Sequence, residues 1–276
     1  MDFSKEWYAI GREAELAATQ IALGVTALGR ADHTRIGNYT IAFFGLATGL
    51  ERLGKLITVA DYTIEHRGKF PSNNFLQKQF SHDLEKLLNH CEDVSGRQHS
   101  TNNYAARPND GVHQGIVQTL SEFNTLSRYY NLDSLAGGKV LKLPEPVGAW
   151  WKRAGEPILS QHYTAYQRAK DCAIANGLDE MWREHALIRH HTECGEPMYG
   201  LATFFRRAGE TRVVQKYGRL YVLQVVRWLT YLLHALIHEV AYTPGFESFL
   251  GVEEPFNVFL KDDRYFRNRK TWAIYR

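Results

Sequence analysis

Gln224, Arg227, Tyr231, His234 and His238 recur at steps of three, four, three and four residues in an otherwise apolar segment. At a helical period this spacing places all five on one face. A solvent-facing stripe usually carries Lys and Glu, whereas this one carries groups that hydrogen-bond and titrate near neutrality. An imidazole can move a proton at neutral pH, and a guanidinium fork matches the oxygens of a phosphoryl group. RNA cleavage suits that pair. His234 would take the proton of a ribose 2′-hydroxyl, whose oxygen attacks the adjacent phosphate while Arg227 offsets the developing charge. Gln224, Tyr231 and His238 would shape the site, and the chemistry requires neither metal nor cofactor. The plainer reading of the same stripe is structural, a set of polar groups satisfying one another at an interface.

Arg and His at such a separation are not rare. Among 12 histidines the same spacing range also pairs Arg107 with His113 and Arg183 with His190. Pro108 and Gly111 interrupt any helix across the first pair. The second, with His191 nearby, is a reserve candidate. His234 and His238 stand four apart, as two metal-gripping imidazoles can, but Glu239 does not occupy the zinc-protease position. His185, His190, His191 and Cys194 offer ligand types without a tetrahedral spacing. No metal site is therefore expected. At the C-terminal end Lys261, Arg264, Arg267, Arg269, Lys270 and Arg276 interleave with Tyr265, Phe266, Trp272 and Tyr275. Arg264, Arg267, Arg269, Lys270 and Trp272 are the candidate nucleic-acid contacts, because cations meet phosphates while aromatic faces stack on bases. The alternative is a basic tail whose aromatics complete the core.

These residues need a scaffold, and its periodicity is helical. Ile36, Tyr39, Phe43, Leu46, Leu50, Leu53, Ile57, Ala60 and Ile64 define one long helix, with Asp32 or Thr34 as its cap and Gly68 and Pro71 at its end. Trp7, Ile10, Ala14, Ala17, Ile21 and Leu28 define another before it, and its small central residues suit close antiparallel packing. The Gly45, Gly49 and Gly54 spacing reads the same way rather than as a phosphate loop. Leu76, Phe80, Leu84, Leu87 and Cys91 predict a third helix. His82 lies between Ser81 and Asp83, which read as capping residues. Residues 96–110 read as an exposed loop, 112–128 as a helix, and Gly137, Gly138, Pro144 and Pro146 as an interruption. Further helices are expected at 157–175, ending at Asn176-Gly177, then from about Asp179 until Gly195 and Pro197 break it, then a short aromatic helix, and a long one from Thr211 to about Tyr242. The chain thus predicts an all-α multi-helix bundle: an N-terminal core over 1–95, a loop-rich connection with one helix over 96–147, and a helical region over 148–276, the last able to form one continuous domain with the first.

The 276 residues are 44% hydrophobic and 23% charged, which excludes extended disorder and a fibrous or disulfide-built protein. A formal charge of +3 does not by itself demand a polyanionic partner. Three scattered cysteines, no leader at the N-terminus and interruptions in every long apolar stretch predict a cytoplasmic protein with no membrane association.

The stripe from residue 36 onward, the run Phe80-Ser81-His82-Asp83-Leu84-Glu85-Lys86-Leu87-Leu88 and the Arg227–His234 spacing together resemble the HEPN superfamily of helical domains. The resemblance implies a helical, commonly dimeric fold and a metal-independent ribonuclease of toxin–antitoxin or antiviral defence systems, with Arg227 and His234 reactive. Trp228 stands where the superfamily usually has a polar residue after the arginine. The expected partners are RNA and a second copy of the chain. The rival expectation is a non-catalytic adaptor or inhibitory subunit that binds a protein partner through its C-terminal surface. A third is small-ligand binding in a pocket lined by His82 and the first two helices.

Overall fold

The computed structural model describes residues 4–72, 74–75, 80–97, 106–137, 144–240 and 243–272. Expectations resting on Leu76, Gly138, Tyr242, Tyr275 and Arg276 lie outside the described residues. The described residues are mostly helical, as the periodicity predicts.

Helix α1 (Lys5–Leu28) begins where the Ser4 hydroxyl accepts the Trp7 N–H at 3.1 Å. Helix α2 (Gly37–Glu65) runs antiparallel to it at backbone contact. A Cβ on Gly45 would lie 2.7 Å from the Gln20 carbonyl oxygen, so a side chain there would force the helices apart. The α2 terminus differs from expectation. Asp32 accepts from the Thr34 N–H and hydroxyl and pairs with Arg35, leaving Ile36 at the cap with no side-chain bond. The other end agrees: Gly68, at φ +88°, donates its N–H to Thr63 O.

Helix α3 (Leu84–Arg97) starts later than its apolar stripe suggested, because Ser81 adopts φ +48° and Asp83 then accepts the Lys86 N–H. Asp110 caps α4 (Gly111–Glu122), which continues as a π turn (Phe123–Ser127) before α5 (Tyr130–Leu135). Helices α6 (Pro146–Trp150) and α7 (Glu156–His162) join through a second π turn. The helix expected over 157–175 is instead divided at Tyr163-Thr164, where Thr164 and Gln167 form a reciprocal capping box for α8 (Ala165–Trp182). Nor does it stop at Asn176-Gly177. Both are exposed inside α8, which absorbs the segment expected to begin near Asp179.

A two-residue antiparallel hairpin, β1 (His190–His191) with β2 (Pro197–Met198), precedes the 40-residue α9 (Leu201–Val240), which absorbs the short aromatic helix expected before Thr211. Helix α9 contains an apolar window long enough to cross a membrane, contrary to the expectation that every such stretch is interrupted, but 78% of that window is buried inside the fold. Two 3₁₀ segments (Glu247–Phe249 and Glu254–Leu260) and α10 (Asp263–Asn268) then fold back on α9 and α1. One hydrophobic core draws on all three expected regions, from Ile21 and Leu50 through Leu120 and Trp150 to Trp228 and Phe266.

Candidate active-site cleft

The polar stripe of α9 is real as a face but divided in use. Arg227 is only 5% exposed; its Nη1 donates to Lys261 O at 2.9 Å and its Nη2 pairs with Asp263 at 2.8 Å, with the guanidinium over the Phe266 ring. Two turns along α9, about 10 Å at 1.5 Å per residue, His234 is half-buried and its Nε2 is enclosed without a hydrogen-bond partner. Burial holds that imidazole below its ordinary pKa, against the opposing pull of Glu253. Tyr231 is half-buried and His238 exposed. The structure therefore brings Gln224 and Arg227 to one cleft, while His234, Tyr231 and His238 do not line it among the described residues.

That cleft, about 490 Å³, lies between the N-terminal end of α4, the end of α7, the middle of α9 and α10. Its hydrogen bonds fix one another. Gln224 Nε2 must donate to the Asp263 carboxylate at 2.9 Å, so Gln224 Oε1 faces His113 Nε2 at 2.9 Å and accepts from it. His113 Nδ1 lies 3.0 Å from Asp110, the residue whose carboxylate also caps α4. Across the cleft the Tyr221 hydroxyl donates to Gln161 Oε1 at 2.8 Å, so it accepts from His162 Nε2 at 3.0 Å. Burial, then Asp110 and Tyr217, raises the Tyr221 phenol and keeps that donor protonated. His162 Nδ1 consequently carries the lone pair and makes no hydrogen bond among the described residues.

Two further groups set the character of His162. Its ring lies flat on Tyr217, centroids 3.8 Å apart and 1° from parallel. Burial, reinforced by the nearby Arg267, pushes its pKa below 6.5, with Asp110 opposing. Arg267 lines the same cleft and has no ion-pair partner among the described residues. An imidazole with an unbonded nitrogen thus shares the cleft with a guanidinium that has no ion-pair partner among the described residues, a pairing able to abstract a proton near a bound anion.

Of the other C-terminal candidates, Arg264 and Arg269 line a separate hollow with Lys261 and Tyr265, away from this cleft. Arg264 and Lys270 are exposed, Arg269 covers the rings of Tyr265 and Trp272, and Trp272 is 3% exposed between Phe259 and Phe266. The faces of Trp272 are therefore filled by the core, and of the five predicted contacts only Arg267 reaches the cleft. The reserve pair separates: Arg183 sits at the end of α8 paired with Asp179, whereas His190 lies on β1. Arg107 is held by Asn89 and Glu92. His82 faces Glu51 at 3.2 Å beside a capping Asp83, as the capping reading expects. Among the described residues no group of three or more His, Cys, Asp or Glu is arranged to hold a metal ion.

Sequence reasoning passed over His162, Tyr217 and Tyr221. The available signal was the stripe itself, which extends back through Gln224 to Tyr221 and Tyr217 at steps of three and four. Compared with known proteins, the chain matches no family model, no curated protein and no solved structure.

Proposed function

We propose that the protein acts on RNA as a metal-independent endoribonuclease, in keeping with the HEPN-like features of its sequence, and that the chemistry belongs to the His162–Arg267 cleft. One observation carries the reading: His162 keeps an unbonded Nδ1 in the same cleft as Arg267, which has no ion-pair partner among the described residues, and burial lowers its pKa. In this reading Nδ1 takes the 2′-hydroxyl proton and the 2′-oxygen attacks phosphorus, expelling the 5′-oxygen, which takes a proton from water in the open cleft. Arg267 holds the non-bridging oxygens as their charge grows. Arg227, already bonded to Asp263 and Lys261 O, positions α10 and hence Arg267 rather than meeting the phosphate. A cytoplasmic homo-oligomer of a defence or toxin–antitoxin system is the setting this reading carries with it. The test is incubation of purified wild type and His162→Ala with a labelled single-stranded RNA in EDTA. Cleavage by wild type, with a 2′,3′-cyclic phosphate end, and loss of at least 100-fold in the variant are expected; equal cleavage by both removes the assignment.

A second reading, the non-catalytic adaptor, is favoured by a different observation. Helix α8 buries only Ala175 and exposes Tyr166, Ile174, Met181 and Trp182, apolar surface of the kind partner proteins cover. Intact RNA after incubation with wild type, together with loss of a co-purifying protein on Tyr166→Ser and Trp182→Ser substitution, would favour it.

A further inference from the structure

The cleft just described has chemistry but no net charge with which to hold a polyanion: two arginines, Arg227 and Arg267, face two carboxylates, Asp110 and Asp263. Affinity for a phosphodiester chain grows with the number of phosphates neutralised, so cations must be supplied from outside it. The nearest available wall is Tyr217, which lines the cleft on one side and a second hollow, of about 410 Å³ between α8 and α9, on the other.

The second hollow has the charge that the first lacks. Lys170, Arg212 and Lys216 line it against a single carboxylate, Asp171. That carboxylate is already engaged, accepting from Arg212 Nη2 at 2.8 Å and from the Tyr163 hydroxyl at 3.0 Å. It is also wedged over Gly209, where a Cβ would lie 2.5 Å from Asp171 Oδ2. Glycine at that position lets the carboxylate fold down beside α9. Lys170 and Lys216 remain exposed, without ion-pair partners among the described residues, and the Lys216 ammonium stands 5.5 Å from the Tyr217 ring centroid.

We propose that the two hollows form one continuous track for single-stranded RNA, in which Lys170 and Lys216 hold backbone phosphates and Tyr217 marks the passage from the binding groove into the His162–Arg267 cleft. The track rests on the reading of the cleft as an RNA site, and adds to it a path for the strand and a source for its affinity. Lysines suit this task because they neutralise phosphates without fixing base identity. One face of Tyr217 is covered by His162, which leaves the opposite face for a base, and the bases of a single strand are free to use it where those of a duplex are not.

Fluorescence anisotropy with a labelled 12-nucleotide single strand, titrated at several salt concentrations, tests the proposal on the full chain. Wild type should bind with an affinity that falls steeply with salt. Lys170→Gln together with Lys216→Gln should weaken binding roughly tenfold at low salt and flatten the logarithmic salt slope by about 1.4, two phosphates at about 0.7 each for single strands. Both lysines are exposed, so an unchanged melting temperature verifies that the variant is folded. An unchanged salt slope in the double variant overturns the track; if Arg267→Gln still weakens binding or cleavage, the cleft reading stands without it. Absence of any RNA binding by wild type overturns both, and a duplex competing as well as the single strand overturns the assignment of strand type.

Discussion

At the scale of single residues, the cleft depends on an electrostatic link between Arg267 and His162. Arg267 lowers the pKa of His162 by disfavouring a second positive charge beside it, on top of the larger effect of burial. Replacing Arg267 with Gln removes the cation and should move the His162 pKa upward, toward its ordinary value of 6.5. Imidazole proton resonances followed through a pH titration read this directly. The acidic limb of RNA cleavage should move upward with them, because the protonated ring cannot accept the 2′-hydroxyl proton. A His162 resonance that titrates identically in both proteins would separate the two groups. Arg227 is expected to behave differently, as an anchor. Its bonds to Asp263 and Lys261 O join α9 to the C-terminal segment, so Arg227→Ala should cost about 2–3 kcal/mol of stability in urea denaturation. The half-exposed Asp263 carboxylate can be rehydrated, which keeps the loss below that of a fully buried pair.

At the scale of elements, glycine has opposite meanings in α2 and α8, and opposite stability effects follow. Gly45 faces the Gln20 carbonyl where the two long helices touch, so Gly45→Ala must push backbone against backbone and should destabilise by about 1–3 kcal/mol. Gly177 lies exposed within α8, with nothing within 4 Å of the place a Cβ would take. Gly177→Ala should stabilise by about 0.5–1 kcal/mol, since it removes backbone freedom from the unfolded chain and meets nothing in the folded one. Chemical denaturation of the two variants against wild type checks both signs at once. The pair also shows what the sequence makes legible. The α1–α2 association could be read because apolar residues at steps of three and four combine with small residues at the contact. The extent of α8 could not, because Asn176-Gly177 is a favourable helix end locally and only packing against α9 carries the helix past it. For the same reason the stripe on α9 located Gln224 and Arg227 correctly on one face, while the identity of the facing histidines, His113 and His162, depends on which distant helices fold against that face.

At the scale of the whole molecule, the C-terminal segment is part of the core rather than an appendage: Phe256, Phe259, Phe266 and Trp272 are all buried, and the Trp272 N–H donates to the Thr26 hydroxyl on α1. The same compactness encloses imidazoles. His33, His90, His162 and His234 all have pKa values lowered mainly by burial, and both ring nitrogens of His33 are without partners. Each ring is easier to protonate in the unfolded chain than in the folded one, so the unfolded state binds more protons in the interval from 6.5 down to the lowered values. Stability must therefore fall as pH drops through that interval, and it is fully present above it. The carboxylates with lowered values, Asp32, Glu51 and Glu247, start from 3.8, 4.5 and 4.5 and act only at lower pH. The melting temperature should accordingly be lower at about pH 5.5 than at about pH 7.5. His33→Phe should make the decline shallower, since Phe keeps an aromatic edge against Phe204 while abolishing the titration. Equal melting temperatures for wild type at the two pH values would contradict the enclosure of these rings. An undiminished decline in the variant would instead assign the acid sensitivity to the remaining three histidines.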